Sequence, residues 1–309
     1  IGAVATTVLT TRAPGMNMRR IPYFSWSVLV CSLGLIIALP VLAGDLLYLY
    51  AAHHYPSLGE MAGNRAFSEW AGFGFTAPLV LLFAVPVLGF YADAAATASG
   101  SRLRPRGPIF LAIGLAGVGS FASVLQVAPT LDAGLFNQGF GEIVKQLLPF
   151  GIVHGLPLLG AFSLFAYATQ HLAAKPTVQA PVVFGFLATG LLLSAFAASM
   201  VAHIGSAGLA GTTAEEGTWL LAVLAGVLGA MGAVTYWGPK WWGRSLPSKA
   251  TLVLALLSGV GAVLASVSLI VAGFANQLGA VFPFIEAGPQ ASAVNFTYSG
   301  PKEIWNTLH

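Results

Sequence analysis

The stretch RAPGMNMRRIPYFSWS, Arg12 to Ser27, separates two apolar segments with three arginines, two prolines and an aromatic run. Pro14 and Gly15 stop a helix, the arginines hold the connection at anionic headgroups, and Trp26 suits the membrane interface. The stretch therefore reads as a hinge between two membrane spans. Composition agrees: 57% of the chain is hydrophobic and 7% charged, too little polar surface to keep 309 residues dispersed in water. The apolar runs are continuous rather than alternating, and hydrocarbon cannot hydrogen-bond an exposed backbone, so helices are selected over a barrel. The fold class is all-α, a polytopic transmembrane helix bundle forming a single membrane domain over residues 1–309.

A span needs roughly 20 apolar residues. Runs of that kind lie at Trp26 to Ala51, Phe67 to Tyr91, Ile109 to Ala128, Ile143 to Tyr167, Val182 to His203, Thr218 to Trp237 and Thr251 to Ala275, about seven full spans with partial spans flanking them. The chain opens at Ile1 inside an apolar stretch and stops just after GPKEIWNTLH, which reads as the beginning of another helix. A piece of a longer protein is expected. No soluble domain, repeat, low-complexity linker or cleavable signal peptide is visible.

Cations test the count, because Lys and Arg accumulate in cytoplasmic loops. Arg12, Arg19 and Arg20, then Arg102, Arg104 and Arg106, then Lys175, then Lys240, Arg244 and Lys249 fall in alternate loops. The intervening loops hold Arg65 and Lys145, with Lys302 in the tail, while Glu60, Asp132, Glu142, Glu215, Glu216 and Glu286 favour the other side. The net charge of +3 thus reflects insertion, and no nucleic acid partner is implied. Cys31 is alone within a span, which excludes an internal disulfide and any CxxC metal site.

The hinge residues Arg12, Ala13, Pro14, Gly15, Met16, Arg20, Pro22, Phe24 and Trp26 resemble the connection between the fourth and fifth helices of subunit I of the heme-copper oxidases, the cytochrome c oxidase family, especially its actinobacterial-type members. TYWGPKWWGR, Thr235 to Arg244, is similar to the exit of that family's tenth helix at Trp237, Pro239, Lys240, Gly243 and Arg244. GPIF at Gly107 to Phe110 and TVQAPVVF at Thr177 to Phe184 match more loosely. On this register the chain runs from the end of helix IV through the start of helix XII.

The resemblance implies histidines that hold two hemes and a copper, and here the pattern departs. The sixth helix of the family reads GHPEVY before a Leu-Pro turn. This chain reads TAPLVLLFAVP from Thr76 to Pro86, with Pro78 and Pro86 in register. Ala77 takes the copper-ligand position, Leu79 that of the proton-path glutamate, and Leu81 that of the cross-linked tyrosine. No histidine stands in APTLDAGL, Ala128 to Leu135, where the family has a His-His pair. Counting back from Pro239 places the tenth-helix His-x-His positions at Gly217 and Trp219, and Pro157 places the proton-path lysine at Ala161. Joint replacement of ligands and proton-path groups is what loss of chemistry looks like, since a buried polar group without its metal or water chain is costly in hydrocarbon.

His154 and His203 are the histidines within spans and so the weak candidates for cofactor binding. His154 otherwise bonds a neighbouring helix, and His203 reaches water near the outer end of its span. His53 and His54 read as solvated. Asp45 is an intramembrane acid, with proton transfer set against pairing or interfacial placement. Glu215 and Glu216 point about 100° apart on a helix and suit a helix N-terminus better than a metal. Gly226 and Ala230, four apart, read as a close-packing face. The expected function is a cofactor-less, subunit I-like structural or assembly subunit of a respiratory terminal oxidase complex. Its expected partners are other membrane subunits and lipids, in a bacterial plasma membrane. The alternative is part of a working cytochrome c oxidase whose heme and copper ligands come from another chain or from N-terminal sequence outside these residues. A transporter is less favoured, because few polar side chains line the spans.

Overall fold

The computed structural model describes residues 1–55, 71–125, 127, 129, 137, 139–174, 178–209, 211–277 and 279. Glu60, Arg65, Phe67, Asp132, Lys175, Glu286 and Lys302, with most of the segment 128–135, lie outside the described residues. The helices are α1 (Gly2–Thr10), α2 (Tyr23–His54), α3 (Ala77–Ala84), α4 (Pro86–Ser99), α5 (Arg106–Gly119), α6 (Phe140–Phe150), α7 (Leu156–Ala173), α8 (Ala180–Ala202), α9 (Thr213–Trp242) and α10 (Ser248–Phe274). Ala71–Thr76 leads into α3 as a π-helical turn, and Gly151–Gly155 joins α6 to α7 in the same way.

Among the described residues six helical runs are long and apolar enough to cross a bilayer: Tyr23–His54, Ala71–Ser99, Phe140–Ala173, α8, α9 and α10. The run expected at Ile109 to Ala128 is the shorter 14-residue α5, followed by a 3-10 turn at Ala122–Leu125. Glycines at 114, 117 and 119 weaken the end of α5 as a helix. Gly117 and Gly119 also bring it close to Val30 and Pro157, where an added Cβ would lie 2.2 and 2.4 Å away.

Helix α4 is the axis of the bundle and packs against α2, α7, α8 and α9. Leu88, Tyr91, Ala92 and Ala95 on it are fully buried. The peripheral helices turn apolar side chains outward, with Ile37 64%, Leu47 69% and Leu257 66% exposed, as a protein dissolved in hydrocarbon can.

The cationic loops meet at one end of the bundle through a polar lattice. The N-cap of α2 is Pro22, which makes no side-chain capping bond, so the first amides of α2 need another acceptor. Asp93 on α4 supplies it: its carboxylate accepts from the Tyr23 and Phe24 amides at 3.2 and 2.9 Å. Gly89, one turn earlier, permits this approach, because a Cβ there would stand 2.4 Å from the Tyr23 carbonyl oxygen. Arg106 donates to the Ile21 carbonyl and lies over the Tyr23 ring at 4.9 Å. The Tyr23 hydroxyl donates to the Leu103 carbonyl, and the Trp26 indole to that of Phe110, each at 2.9 Å. Phe24 packs on Trp237 at 4.6 Å between centroids, and Thr97 meets the Tyr236 hydroxyl at 2.7 Å.

Two outcomes are expected. Asp93→Ala strips a charge-assisted cap and lowers stability by about 1–3 kcal/mol, read from thermal or denaturant unfolding in detergent micelles, whereas Asp93→Asn keeps an acceptor and loses less. In a Cys31→Ser background, single cysteines at Arg104 and Arg244 are labelled from the cytoplasmic face and one at Glu216 from the opposite face; labelling of all three from one side contradicts this topology.

Candidate functional site

Three prolines shape the interior. Pro78 is the second residue of α3, Pro86 the first of α4 and Pro157 the second of α7. Proline lacks the N–H that would continue the ladder, and the preceding turns over Ala71–Thr76 and Gly151–Gly155 widen to π geometry. Such turns re-aim side chains, which is why the residues beside them are candidates for chemistry.

Ala77 and Leu79 are half-buried at the start of α3, and Leu81 is buried. Helix α3 lies along α9, which carries Gly217 and the half-buried Trp219. Gly217 faces α10 so closely that a Cβ would sit 2.8 Å from the Ser266 carbonyl oxygen and 2.7 Å from Ile270. An imidazole has no room there unless α10 moves. Ala161 is completely buried in α7. The alkyl side chains of Ala77, Leu79 and Leu81 offer iron and copper no donor, and the packing at Gly217 admits no larger side chain without displacing α10, so these positions do not fit heme or copper. The segment 128–135 lies largely outside the described residues; of it, Pro129 accepts the Gly205 amide at 3.0 Å.

The two histidines singled out from sequence are brought together. His154 occupies the π turn between α6 and α7, 5% exposed, and His203 caps the C-terminus of α8. Their ring centroids are 4.7 Å apart at 43°, with Phe150 against His154 at 4.9 Å. His203 holds the Ser199 carbonyl through Nδ1 at 2.7 Å, while His154 Nε2 is buried without a hydrogen-bond partner among the described residues. A heme held axially by both would set the centroids about 6 Å apart, two metal–nitrogen bonds plus two half-rings, so this spacing leaves no slot for a porphyrin.

The other candidates are dispersed. Asp45 is 4% exposed on α2, with Oδ2 unpartnered among the described residues. His53 and His54 are exposed, His54 stacking on Tyr50 at 4.1 Å. Glu215 and Glu216 lie in the first turn of α9 behind the Thr212 cap, the helix-terminus placement expected of them. Gly226 and Ala230 do not form one docking face: Gly226 is buried against Phe83 of the same chain and Ala230 is exposed. Among the described residues no group of three or more His, Cys, Asp or Glu converges as a metal site. Sequence reasoning passed over Asp93, whose only signal was a lone carboxylate near the end of an apolar span. At the same end, an open cleft of about 890 Å³ is bordered by Phe24, Asp93, Thr97, Arg102, Tyr236 and Trp237.

Comparison with known proteins bears on this geometry. Residues 1–299 match the family described as Cytochrome C and Quinol oxidase polypeptide I. The chain is 26% identical over 261 residues to a probable cytochrome c oxidase subunit 1 of Bradyrhizobium diazoefficiens, covering 80% of this chain and 37% of that one. It is 33% identical over 105 residues to the cytochrome c oxidase subunit 1 of Cereibacter sphaeroides, 31% of this chain and 18% of that one. To a putative cytochrome c oxidase subunit 1-beta of Streptomyces avermitilis it is 37% identical over 90 residues, 28% and 16% of the two chains. The chain thus spans 16–37% of the length of these relatives. With its membrane-spanning helices, it is an integral protein of the bacterial plasma membrane.

The tight α9–α10 contact yields a test. Gly217→Ala overpacks it and lowers stability by about 1–3 kcal/mol, whereas Gly261→Ala on α10, with nothing within 4 Å of the added carbon, leaves stability unchanged or raises it. Unfolding midpoints of the two variants side by side decide this.

Proposed function

The chain belongs to the cytochrome c and quinol oxidase polypeptide I family, and from that membership we propose that it serves as a cofactor-less structural or assembly subunit of a respiratory terminal oxidase complex or supercomplex. The carrying observation is where the family's residues persist. The hinge at Arg12 to Trp26 and the exit at Trp237 to Arg244 keep the pattern, while Ala77, Leu79, Leu81, Ala161, Gly217 and Trp219 stand at ligand and proton-path positions. The kept residues are those that hold the bundle together: Phe24 packs on Trp237, and Trp26 bonds the backbone of α5. The replaced ones are those that would perform chemistry. Its partners in this reading are other membrane subunits, reached through the outward apolar faces of α2 and α10, and lipids, whose headgroups meet the aromatic cleft beside Arg102.

A second reading draws on the limited span of the relatives that is matched, at most 37% of their length. In it the chain is part of a working cytochrome c oxidase whose heme and copper ligands are supplied by another chain or by N-terminal sequence outside these residues. The two readings part on sequence outside these residues: a histidine there at the position of the family's second-helix heme ligand favours the second reading.

Purified free of partners, the chain is expected to show no heme in a pyridine hemochromogen spectrum and no stoichiometric copper by metal analysis. One heme per chain overturns the cofactor-less reading. Extracted in mild detergent it is expected to co-purify with other membrane subunits, and recovery of the wild-type chain alone overturns the subunit reading.

A further inference from the structure

We propose that His154 and His203 form a two-imidazole site for a tetrahedral divalent cation of the zinc class, a site independent of the subunit role above. The histidines are 49 positions apart in sequence, and the π turn at Gly151–Gly155 brings them together by carrying His154 toward the end of α8. Two observations point to a ligand. His154 is 95% buried (5% exposed), and its Nε2 has no hydrogen-bond partner among the described residues, an arrangement that in a native interior calls for a bound species. His203 donates through Nδ1 to the Ser199 carbonyl, which fixes the tautomer that leaves Nε2 with a free lone pair, the usual orientation of a metal-bound imidazole.

Spacing selects the ion. Two imidazoles on one tetrahedral zinc, with bonds of about 2.0–2.1 Å, place their ring centroids about 5 Å apart, whereas linear two-coordination needs about 6 Å. The observed 4.7 Å lies beside the tetrahedral value. The remaining coordination positions are left to water, which is consistent with His203 being only partly buried.

The electrostatic surroundings permit a cation. The π turn packs against α5, α6, α7 and α8. Arg106 stands at the far end of α5, and Tyr167 and His171 lie toward the far end of α7. On α6, Glu142 and Lys145 neutralise each other at 2.6 Å near its exposed start. The site lies at the end of the bundle away from the cationic loops, so an ion arrives from the extracytoplasmic side. Once bound it ties the α6–α7 joint to the end of α8.

The test is zinc binding to the purified full chain stripped of metal, with His53 and His54 replaced by alanine to remove the exposed pair. One zinc per chain is expected to bind saturably. His154→Gln and His203→Ala, each checked for an intact melting transition, are each expected to weaken binding at least about tenfold. Zinc is expected to raise the melting temperature of the parent and of neither variant. Absence of saturable binding, or equal affinity in both folded variants, overturns the site.

Discussion

The carboxylate of Asp93 at the amino end of α2 is the contact on which the described bundle depends. A helix beginning at Pro22 has no capping side chain of its own, and at the border of hydrocarbon its first amides have few alternatives. Asp93 reaches them from α4, the helix that also touches α7, α8 and α9, so one carboxylate fixes the hinge helix to the axis of the fold. The approach is possible only because residue 89 is glycine. Arg106, beside the Tyr23 ring, then sets the start of α5 against the same hinge.

That lattice explains why two stretches more than 200 positions apart keep the family pattern together. Phe24 and Trp26 of the hinge touch Trp237 and Phe110, and Tyr236 reaches Thr97. The hinge, the GPIF segment and the helix exit are one structural unit at the cationic end. A change in any of them disturbs the others through these contacts.

Much of this was legible in the sequence, and the exceptions share a cause. The six long spans were legible from apolar length, a local property of the chain, but their limits shifted by up to eight residues and the run at Ile109 to Ala128 folded as the shorter α5. The polarity of the bundle followed from Arg104 and Arg244 standing in alternate loops. Asp93 was missed because its partners, the amides of Tyr23 and Phe24, are backbone groups 70 positions away that leave no trace in residue type. The His154–His203 pair was visible only as two separate histidines, since a π turn shifts the register that helical periodicity assumes. Gly226 was read correctly as a close-contact residue, but periodicity cannot say whether the neighbour belongs to the same chain, and it is Phe83.

Glycine in the interior sets how closely α9 approaches its neighbours. A cofactor between helices holds them apart, and its removal leaves a void that costs about 24 cal/mol per Å³ unless the helices close or side chains fill it. On the cofactor-less reading proposed above, close helix contacts and apolar side chains would supply both remedies. Gly217, Gly226, Gly229 and Gly232 let α9 press against Ser266, Phe83, Val87 and Phe90 at distances where any Cβ would collide. Leu81 and Trp219 place apolar bulk at positions that the resemblance assigns to polar or ligating groups. A larger side chain at Gly217, Gly226, Gly229 or Gly232 would have to displace the neighbour packed against it. On that same cofactor-less reading, closure of the packing would do more than the absence of histidines to confine the chain to working through contacts.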